Sequence, residues 1–175
     1  MNPVSLRPGR LDDAWCLGAL GTQVFLDTYC AQGLQPHLAR EALLVYHPDR
    51  MAERVQDSRR SFILMEQSAH LIGFAELQGP AIAPGGFAGM ELVRLYLSHH
   101  FHGQGLGAQL LQAAEAEAQN QHGLWLTAWS GNTKALGFYA AQGYEDLGLT
   151  HYEFEGQRFE NRVLGRKLEG LPARR

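Results

Sequence analysis

Between Leu106 and Gln121 the apolar residues recur at a helical interval: Leu106, Leu110, Leu111, Ala114 and Ala118 share one arc, with Gln112, Glu115 and Gln119 opposite. The pattern predicts one buried face. Glu117 falls on the apolar arc and is expected at its seam, with the carboxylate reaching solvent. Upstream, Glu91 to Leu97 reads as a strand. Downstream, Leu124 to Trp129 is an apolar strand, followed by a helix from Asn132 or Thr133 to Gln142 that Gly143 closes. Tyr144 to Leu149 and Arg158 to Leu168 complete the strands. In the N-terminal half, Val4 to Arg7 reads as a short strand and Pro8-Gly9 as a turn, after which Asp12 and Asp13 open a helix carrying Trp15, Leu17, Leu20, Val24 and Phe25. A second helical stretch over Leu38 to Val55 breaks near Pro48. Phe62 to Glu66 and His70 to Leu77 form a hairpin around Gln67-Ser68-Ala69, and Gly79 to Gly89 reads as irregular. Strands and helices in this order predict an α/β layer arrangement with a mixed sheet.

No repeat, low-complexity tract or linker divides the sequence, so one domain is expected over residues 1–169, with 170–175 as a flexible tail. At 175 residues, 45% of them hydrophobic, the chain can bury an ordinary core without metal or disulfide support. A net charge of -3 argues against a nucleic-acid surface; Arg59-Arg60 and Arg174-Arg175 are only short basic pairs. Cys16 and Cys30 have no metal-ligand spacing and read as buried or idle thiols. No stretch approaches the roughly 20 apolar residues of a spanning helix, and the N-terminus lacks an apolar signal region, so no membrane partner and a cytoplasmic location are expected.

Candidate chemistry concentrates in two places. Residues His102 to Leu111, HGQGLGAQLL, join a strand to a helix through glycines at 103, 105 and 107. Such a turn exposes backbone amides at the positive end of the following helix, which suits a pyrophosphate; an ordinary glycine-rich loop would look the same. The second place is Trp129-Ser130-Gly131-Asn132 with Phe138-Tyr139. Asn132 and Tyr139 lie seven residues apart, about two helical turns, so both can project from one helix face. Asn132 also suits a plain helix cap, and Tyr139 a core aromatic.

The run LVRLYLSHHFHGQGLGAQLL followed by LWLTAWSGNTKALGFYAAQGYEDLG resembles the acetyl-CoA core of the GNAT family of N-acetyltransferases, strongly over residues 92–148. ELVRLYL, WSGNTKALGFYAAQGYEDLG and FLDTY at Phe25 to Tyr29 are most similar, within it, to bacterial polyamine (spermidine/spermine-type) acetyltransferases. The resemblance implies a single-domain α/β GNAT fold, a mixed and mostly antiparallel sheet flanked by helices. It implies that backbone groups of Leu95, Tyr96 and Leu97 receive the acetyl carbonyl and upper pantetheine, and that Gly103, Gln104, Gly105, Leu106, Gly107 and Ala108 cradle the pyrophosphate. Asn132 would bond the pantetheine arm, and Tyr139 would protonate the departing thiolate. Family members place Gln or Arg where this chain has His102.

The implied reaction is acetyl transfer from acetyl-CoA to a primary amine by direct attack in a ternary complex. It needs a neutral amine, a polarised carbonyl and a proton for the leaving thiolate. Glu91, Glu76, His99 and His100 are the candidates for deprotonation, Glu91 and Glu76 foremost; either carboxylate could orient a water or bind an ammonium, and either could be a solvated strand end. Some relatives carry a glutamate where Thr127 stands here, and relatives of the polyamine type often have an acid where Asn161 stands. No motif cysteine is available as an acyl carrier, and no metal site is expected. A small-molecule amine is the expected partner, polyamine first; an amino acid, a drug amine or a protein N-terminus are the competing acceptors. A homodimer would be ordinary for the family. Two other classes stay open: a nucleotide-binding module using the same glycine turn, and a GNAT-like acyl-CoA sensor or interaction module without turnover.

Overall fold

The structure, a computed structural model, describes residues 3–168. Strands β1 (Val4–Pro8), β2 (Arg60–Gln67), β3 (His70–Ile82), β4 (Ala88–Leu97), β5 (Gly123–Trp129), β6 (Glu145–Phe154) and β7 (Gln157–Lys167) form a seven-stranded sheet in the order β1-β2-β3-β4-β5-β7-β6. Helices α1 (Ala14–Tyr29), α2 (Pro36–Val45), α3 (Pro48–Gln56), α4 (Leu106–Ala118) and α5 (Thr133–Ala141) flank it. The β4–β5 pair is parallel, while β1–β2, β5–β7 and β6–β7 are antiparallel. A parallel neighbour requires a crossover, which α4 supplies. The tail expected at 170–175 lies outside the described residues. Among those described, no helix is long and apolar enough to cross a membrane.

Residue contacts divide the chain into two compact units. One holds the chain up to Glu76 together with Arg94–Leu111. Its core gathers Leu17, Phe25, Ala42, Tyr46, Met51, Leu64 and Phe74. The buried stripe of α1 runs through Ala14, Leu17, Gly18, Gly21 and Phe25. Trp15, expected among the helix's apolar residues, stands about 100° round the helix from Ala14 and is 75% exposed. Cys16 is exposed as well, so it is not a buried thiol. Gly18 and Gly21 matter for what they lack: a Cβ would come within 2.5 Å of the Tyr46 carbonyl at Gly18 and 2.3 Å of the Tyr46 ring at Gly21. Bare backbone lets Tyr46 lie against α1. Pro36 and Pro48 occupy the first turns of α2 and α3, where a missing N–H costs nothing, and Pro48 thereby splits the helical stretch as its position predicts. Asp12 and Asp13 fall in a single 3-10 turn ahead of α1. There Arg7 of β1 donates to Asp13 at 2.7 and 2.8 Å and to Glu66 of β2 at 2.6 Å.

The other unit holds Leu77–Val93 and the chain from Gln112 onward. Trp125, Ala83 and Val163 pack with Phe87 and Leu147. The segment 79–89, expected to be irregular, is mostly strand: β3 runs to Ile82, β4 starts at Ala88, and Ala83 N–H donates to Phe87 O at 2.8 Å across the turn. Gly85 and Gly86 hold positive φ in the turn, whereas Gly79 and Gly89 mark close approach between strands. A Cβ on Gly79 would meet Met90 at 2.9 Å, and one on Gly89 the Gly123 carbonyl at 2.4 Å. The sequence also placed the end of α4 late, because Gln119–Gln121 tightens into a 3-10 turn before His122. Glu117 is exposed, as the pattern predicts. Glu115 departs from it: instead of lying on a free polar face it accepts from Tyr144 Oη at 3.1 Å and Arg166 Nη1 at 2.9 Å. Gly143 follows α5 with φ +82°, a value open to glycine, and its N–H donates to Ala140 O.

Candidate active site

The glycine turn lies wholly in the first unit. After β4 the Ser98 N–H donates to Ile72 O at 2.9 Å, residues His99–Phe101 make one 3-10 turn, and buried Leu106 anchors the start of α4. Gly103 and Gly105 hold φ +75° and +76°, and no atom stands within 4 Å of where their Cβ would be. The backbone is thus bent at two of the three spaced glycines, Gly107 lying already inside α4, and the bend stands beside open space that a bulky anion can fill. The Gln109 N–H donates to Gly105 O, so the amides before it in the first turn of α4 are those a helix leaves without an internal acceptor. His102, exposed, places Nε2 2.9 Å from the Leu97 carbonyl, and His99 stacks on His100 at 3.8 Å while facing Asp27 at 3.3 Å.

Leu95, Tyr96 and Leu97 on β4 are half-buried. The Tyr96 hydroxyl shares a 2.6 Å hydrogen bond with that of Tyr46. Burial, reinforced by Tyr46, pushes the Tyr96 phenol well above its usual range. Burial likewise pushes Tyr29 up to about 12. Both phenols stay neutral near pH 7.

Glu76 corrects the expectation drawn from sequence. It is no strand-end carboxylate but sits inside β3, fully buried. One oxygen accepts from Arg60 Nη1 and the other from Arg94 Nη1, each at 2.5 Å. Burial alone would disfavour the Arg94 charge, but nearby Glu76, Tyr46 and Tyr96 outweigh it and hold the guanidinium more firmly protonated than usual. The Arg94 Nε also donates to Tyr46 Oη at 3.3 Å. This stripe across β2, β3 and β4 escaped the sequence reading. Its signal was present, since two opposite charges, Glu76 in GFAEL and Arg94 in LVRLYL, interrupt apolar strand runs and must find partners.

In the second unit the parallel ladder between β4 and β5 comprises Met90↔Leu124 and Glu91↔Trp125. Glu91 lies inside β4 rather than at its start, half-buried and with a partner of its own. Thr127 is exposed and paired with Val163, and Asn161 is paired with Trp129. Asn132 caps α5: its Oδ1 accepts from the Ala135 N–H at 3.1 Å, so the cap that its residue type allowed is formed and only its Nδ2 is left for other duty. Tyr139 is buried, its ring 5.1 Å from Phe138 and 5.5 Å from Tyr144. Burial, with Glu115 beside it, pushes the Tyr144 phenol well above its usual range. Tyr144, Glu115 and Arg166 therefore tie the end of α5 to α4 and β7, a set that sequence spacing could not reveal. Among the described residues no group of three or more His, Cys, Asp or Glu is placed to hold a metal.

Comparison with known proteins agrees with this arrangement. Residues 25–161 match the acetyltransferase (GNAT) domain. An uncharacterized N-acetyltransferase of Mycobacterium tuberculosis is 27% identical over 161 residues, which cover 90% of this chain and 99% of that protein. One from Lactobacillus delbrueckii subsp. lactis is 26% identical over 132 residues, 71% of this chain and 75% of its own. Among solved structures, a GCN5-related N-acetyltransferase from Rhodopseudomonas palustris superposes with a TM-score of 0.76 at 21% identity, over 96% of this chain and 98% of that one. The PaiA N-acetyltransferase of Thermoplasma acidophilum, solved with coenzyme A, gives 0.72 at 20% identity, over 94% and 99%. With the glycine turn, the mixed sheet and a domain match over residues 25–161 in agreement, the chain belongs to the GNAT family of acetyl-CoA-dependent acetyltransferases.

Proposed function

We propose that this enzyme moves the acetyl group of acetyl-CoA to a primary amine by direct attack in a ternary complex. The observation that carries the proposal is the turn at Gly103 and Gly105, whose left-handed backbone and open flank suit a pyrophosphate at the start of α4. Gly103, Gln104, Gly105, Leu106, Gly107 and Ala108 take the pyrophosphate, backbone groups of Leu95, Tyr96 and Leu97 take the thioester carbonyl and upper pantetheine, and Asn132 reaches the pantetheine arm through Nδ2. The amine nitrogen bonds to the thioester carbon, giving up a proton to Glu91 or to a water that Glu91 holds. The carbon–sulfur bond then breaks, and the Tyr139 hydroxyl supplies the proton that the thiolate takes up. Glu76, with both oxygens committed to arginines, serves in this scheme as the partner that fixes Arg94 rather than as the base.

Polyamines lead the acceptors on the likeness of the FLDTY and ELVRLYL segments; amino acids, drug amines and peptide N-termini compete. Release of CoA thiol, followed with a panel drawn from all four classes, is the test. Turnover that requires an amine supports the proposal, and preference for spermidine or spermine supports its finer form. Tight acetyl-CoA binding with no thiol release from any amine would make the protein an acyl-CoA sensor instead. Glu91→Gln should lower turnover at neutral pH and recover it in alkaline buffer, where the amine deprotonates unaided.

A further inference from the structure

The stretch of β4 proposed to take the thioester, Leu95 to Leu97, lies beyond the pairs that this strand makes with β5, which are Met90↔Leu124 and Glu91↔Trp125. Backbone groups that bind substrate cannot also be spent on a neighbouring strand, so the stretch must be fixed from another direction. Gly73 of β3 gives part of the support by close approach, since a Cβ there would come within 2.8 Å of the Tyr96 carbonyl oxygen. The rest comes from side chains. Arg94 and Tyr96 are two apart on β4 and share one face, where Tyr96 packs on the core of the first unit. Buried Tyr46 reaches the same face from the end of α2, its backbone and ring seated against the bare Gly18 and Gly21 of α1. Its hydroxyl oxygen accepts from Arg94 Nε at 3.3 Å and lies 2.6 Å from the Tyr96 hydroxyl. A guanidinium can only donate, and an oxygen that accepts from a cation becomes the stronger donor through its own hydrogen. Donation therefore runs from Arg94 to Tyr46 to Tyr96. Arg94 is itself held, because Glu76, clamped on its other side by Arg60, accepts from its Nη1.

We infer that Tyr46 is a positioning residue for acetyl transfer: through its hydroxyl bond to Tyr96 it sets the stretch of β4 that takes the thioester carbonyl. This inference rests on the proposed placement of the thioester at Leu95 to Leu97. Packing alone does not call for the hydroxyl, since a phenylalanine ring would meet Phe25 and Tyr96 at the same 5.9 and 6.0 Å. What the hydroxyl adds is a fixed distance between α2 and β4. A small displacement of the carbonyl changes cofactor binding little, because the pyrophosphate and pantetheine keep their own contacts. It changes the rate much more, because the oxyanion that develops must meet donors already in place.

The experiment removes the hydroxyl and keeps the ring. In Tyr46→Phe, kcat for amine-dependent thiol release should fall by about tenfold, while KM for acetyl-CoA and the calorimetric affinity for CoA stay within about twofold of wild type. Tyr96→Phe breaks the same bond from its other end and should show the same loss, so it carries the test if Tyr46→Phe does not fold. The double variant should lose no more than either single one. In isotope-labelled protein, Tyr46→Phe should shift the amide resonances of Leu95, Tyr96 and Leu97 and leave those of Gly103 and Gly105 in place. A kcat within about twofold of wild type, or losses that multiply in the double variant, overturns the inference. So does a CoA affinity that falls as far as kcat, the mark of a general loss of structure. Failure of the underlying placement reads differently. Acetyl-CoA would then leave the amides of Leu95 to Leu97 in the wild type where CoA alone puts them, and both readings would fall; a response to the acetyl group with kcat unchanged in Tyr46→Phe removes only the inference.

Discussion

Glu76→Gln separates a structural carboxylate from a catalytic one. The side chain is fully buried, and its two oxygens accept from Arg60 and Arg94 at 2.5 Å each. Glutamine fills the same volume but offers one acceptor, and its amide would point hydrogens at the second guanidinium. Breaking a buried pair from one side costs about 3 to 5 kcal/mol. The retained acceptor, and the Asp57 carboxylate 3.6 Å from Arg60, put this case near the lower end, about 3 kcal/mol. For a chain of this size each kcal/mol lowers Tm by about 2 to 4 °C, so a fall of about 6 to 12 °C is expected by differential scanning calorimetry. Arg94→Met combined with Glu76→Gln should cost less than the two separately, since the second change relieves the charge that the first strands. The pH profile of turnover in Glu76→Gln should keep the shape of the wild type. A Tm within about 2 °C of wild type, or activity lost at neutral pH and restored in alkaline buffer, would refute this reasoning and return Glu76 to the role of base.

Three further outcomes follow from the same geometry. Tyr139→Phe keeps the ring contacts with Phe138 and Tyr144, so acetyl-CoA affinity should hold while kcat falls by roughly 10² to 10⁴-fold; near-normal turnover with chemistry rate-limiting would assign the proton to water. Gly105→Val puts a branched side chain at φ +76°, and calorimetry should show acetyl-CoA binding weakened at least about tenfold. Arg7 holds the Asp13 carboxyl below its usual range, and a depressed carboxyl stabilises the fold above its unfolded pKa and loses that contribution as pH falls toward the folded value. Arg7→Ala should therefore cost about 1 kcal/mol at about pH 6 in urea unfolding, a figure discounted for partial exposure, and much less at about pH 3; an equal cost at both would sink that linkage.

How far the sequence reaches depends on the range of the interaction that decides each feature. The helical arc of α4, the break at Pro48, the Gly143 stop and the Gly103–Gly105 turn rest on local backbone chemistry, and each lies where the pattern places it. The segment 79–89 misleads because glycine codes equally for a loop and for a strand that must pass close to another backbone; only the positions of Met90 and Gly123 decide which. Trp15 misleads because composition draws it into an apolar stripe from which the helical angle excludes it. Glu76, which the sequence offers as a candidate base or a strand-end carboxylate, and Glu115, which it puts on the polar arc of α4, are instead held by arginines distant along the chain. Arg94 lies 18 residues from the first, and Arg166 lies 51 from the second. For the candidate site, the resemblance supplied the roles and the structure supplied the bonding: a capped Asn132, a tethered His102 and a Glu76 with no oxygen to spare.

The notch that Gly18 and Gly21 cut into α1 bears on the order in which this unit assembles. Two interior glycines cost an isolated helix about 1 kcal/mol each relative to alanine, in an element of 16 residues, just past the length at which an isolated helix ceases to be marginal in water. The same two positions admit the Tyr46 carbonyl and ring, which follow directly on α2. Helicity in α1 must then await its neighbour, since what weakens the free helix is what creates its docking surface. Amide protons of α1 and α2 should accordingly exchange together as one cooperative block, and a peptide spanning Ala14 to Tyr29 alone should be largely coil. Alanine at Gly21 would strengthen the isolated helix while denying it the partner against which it folds.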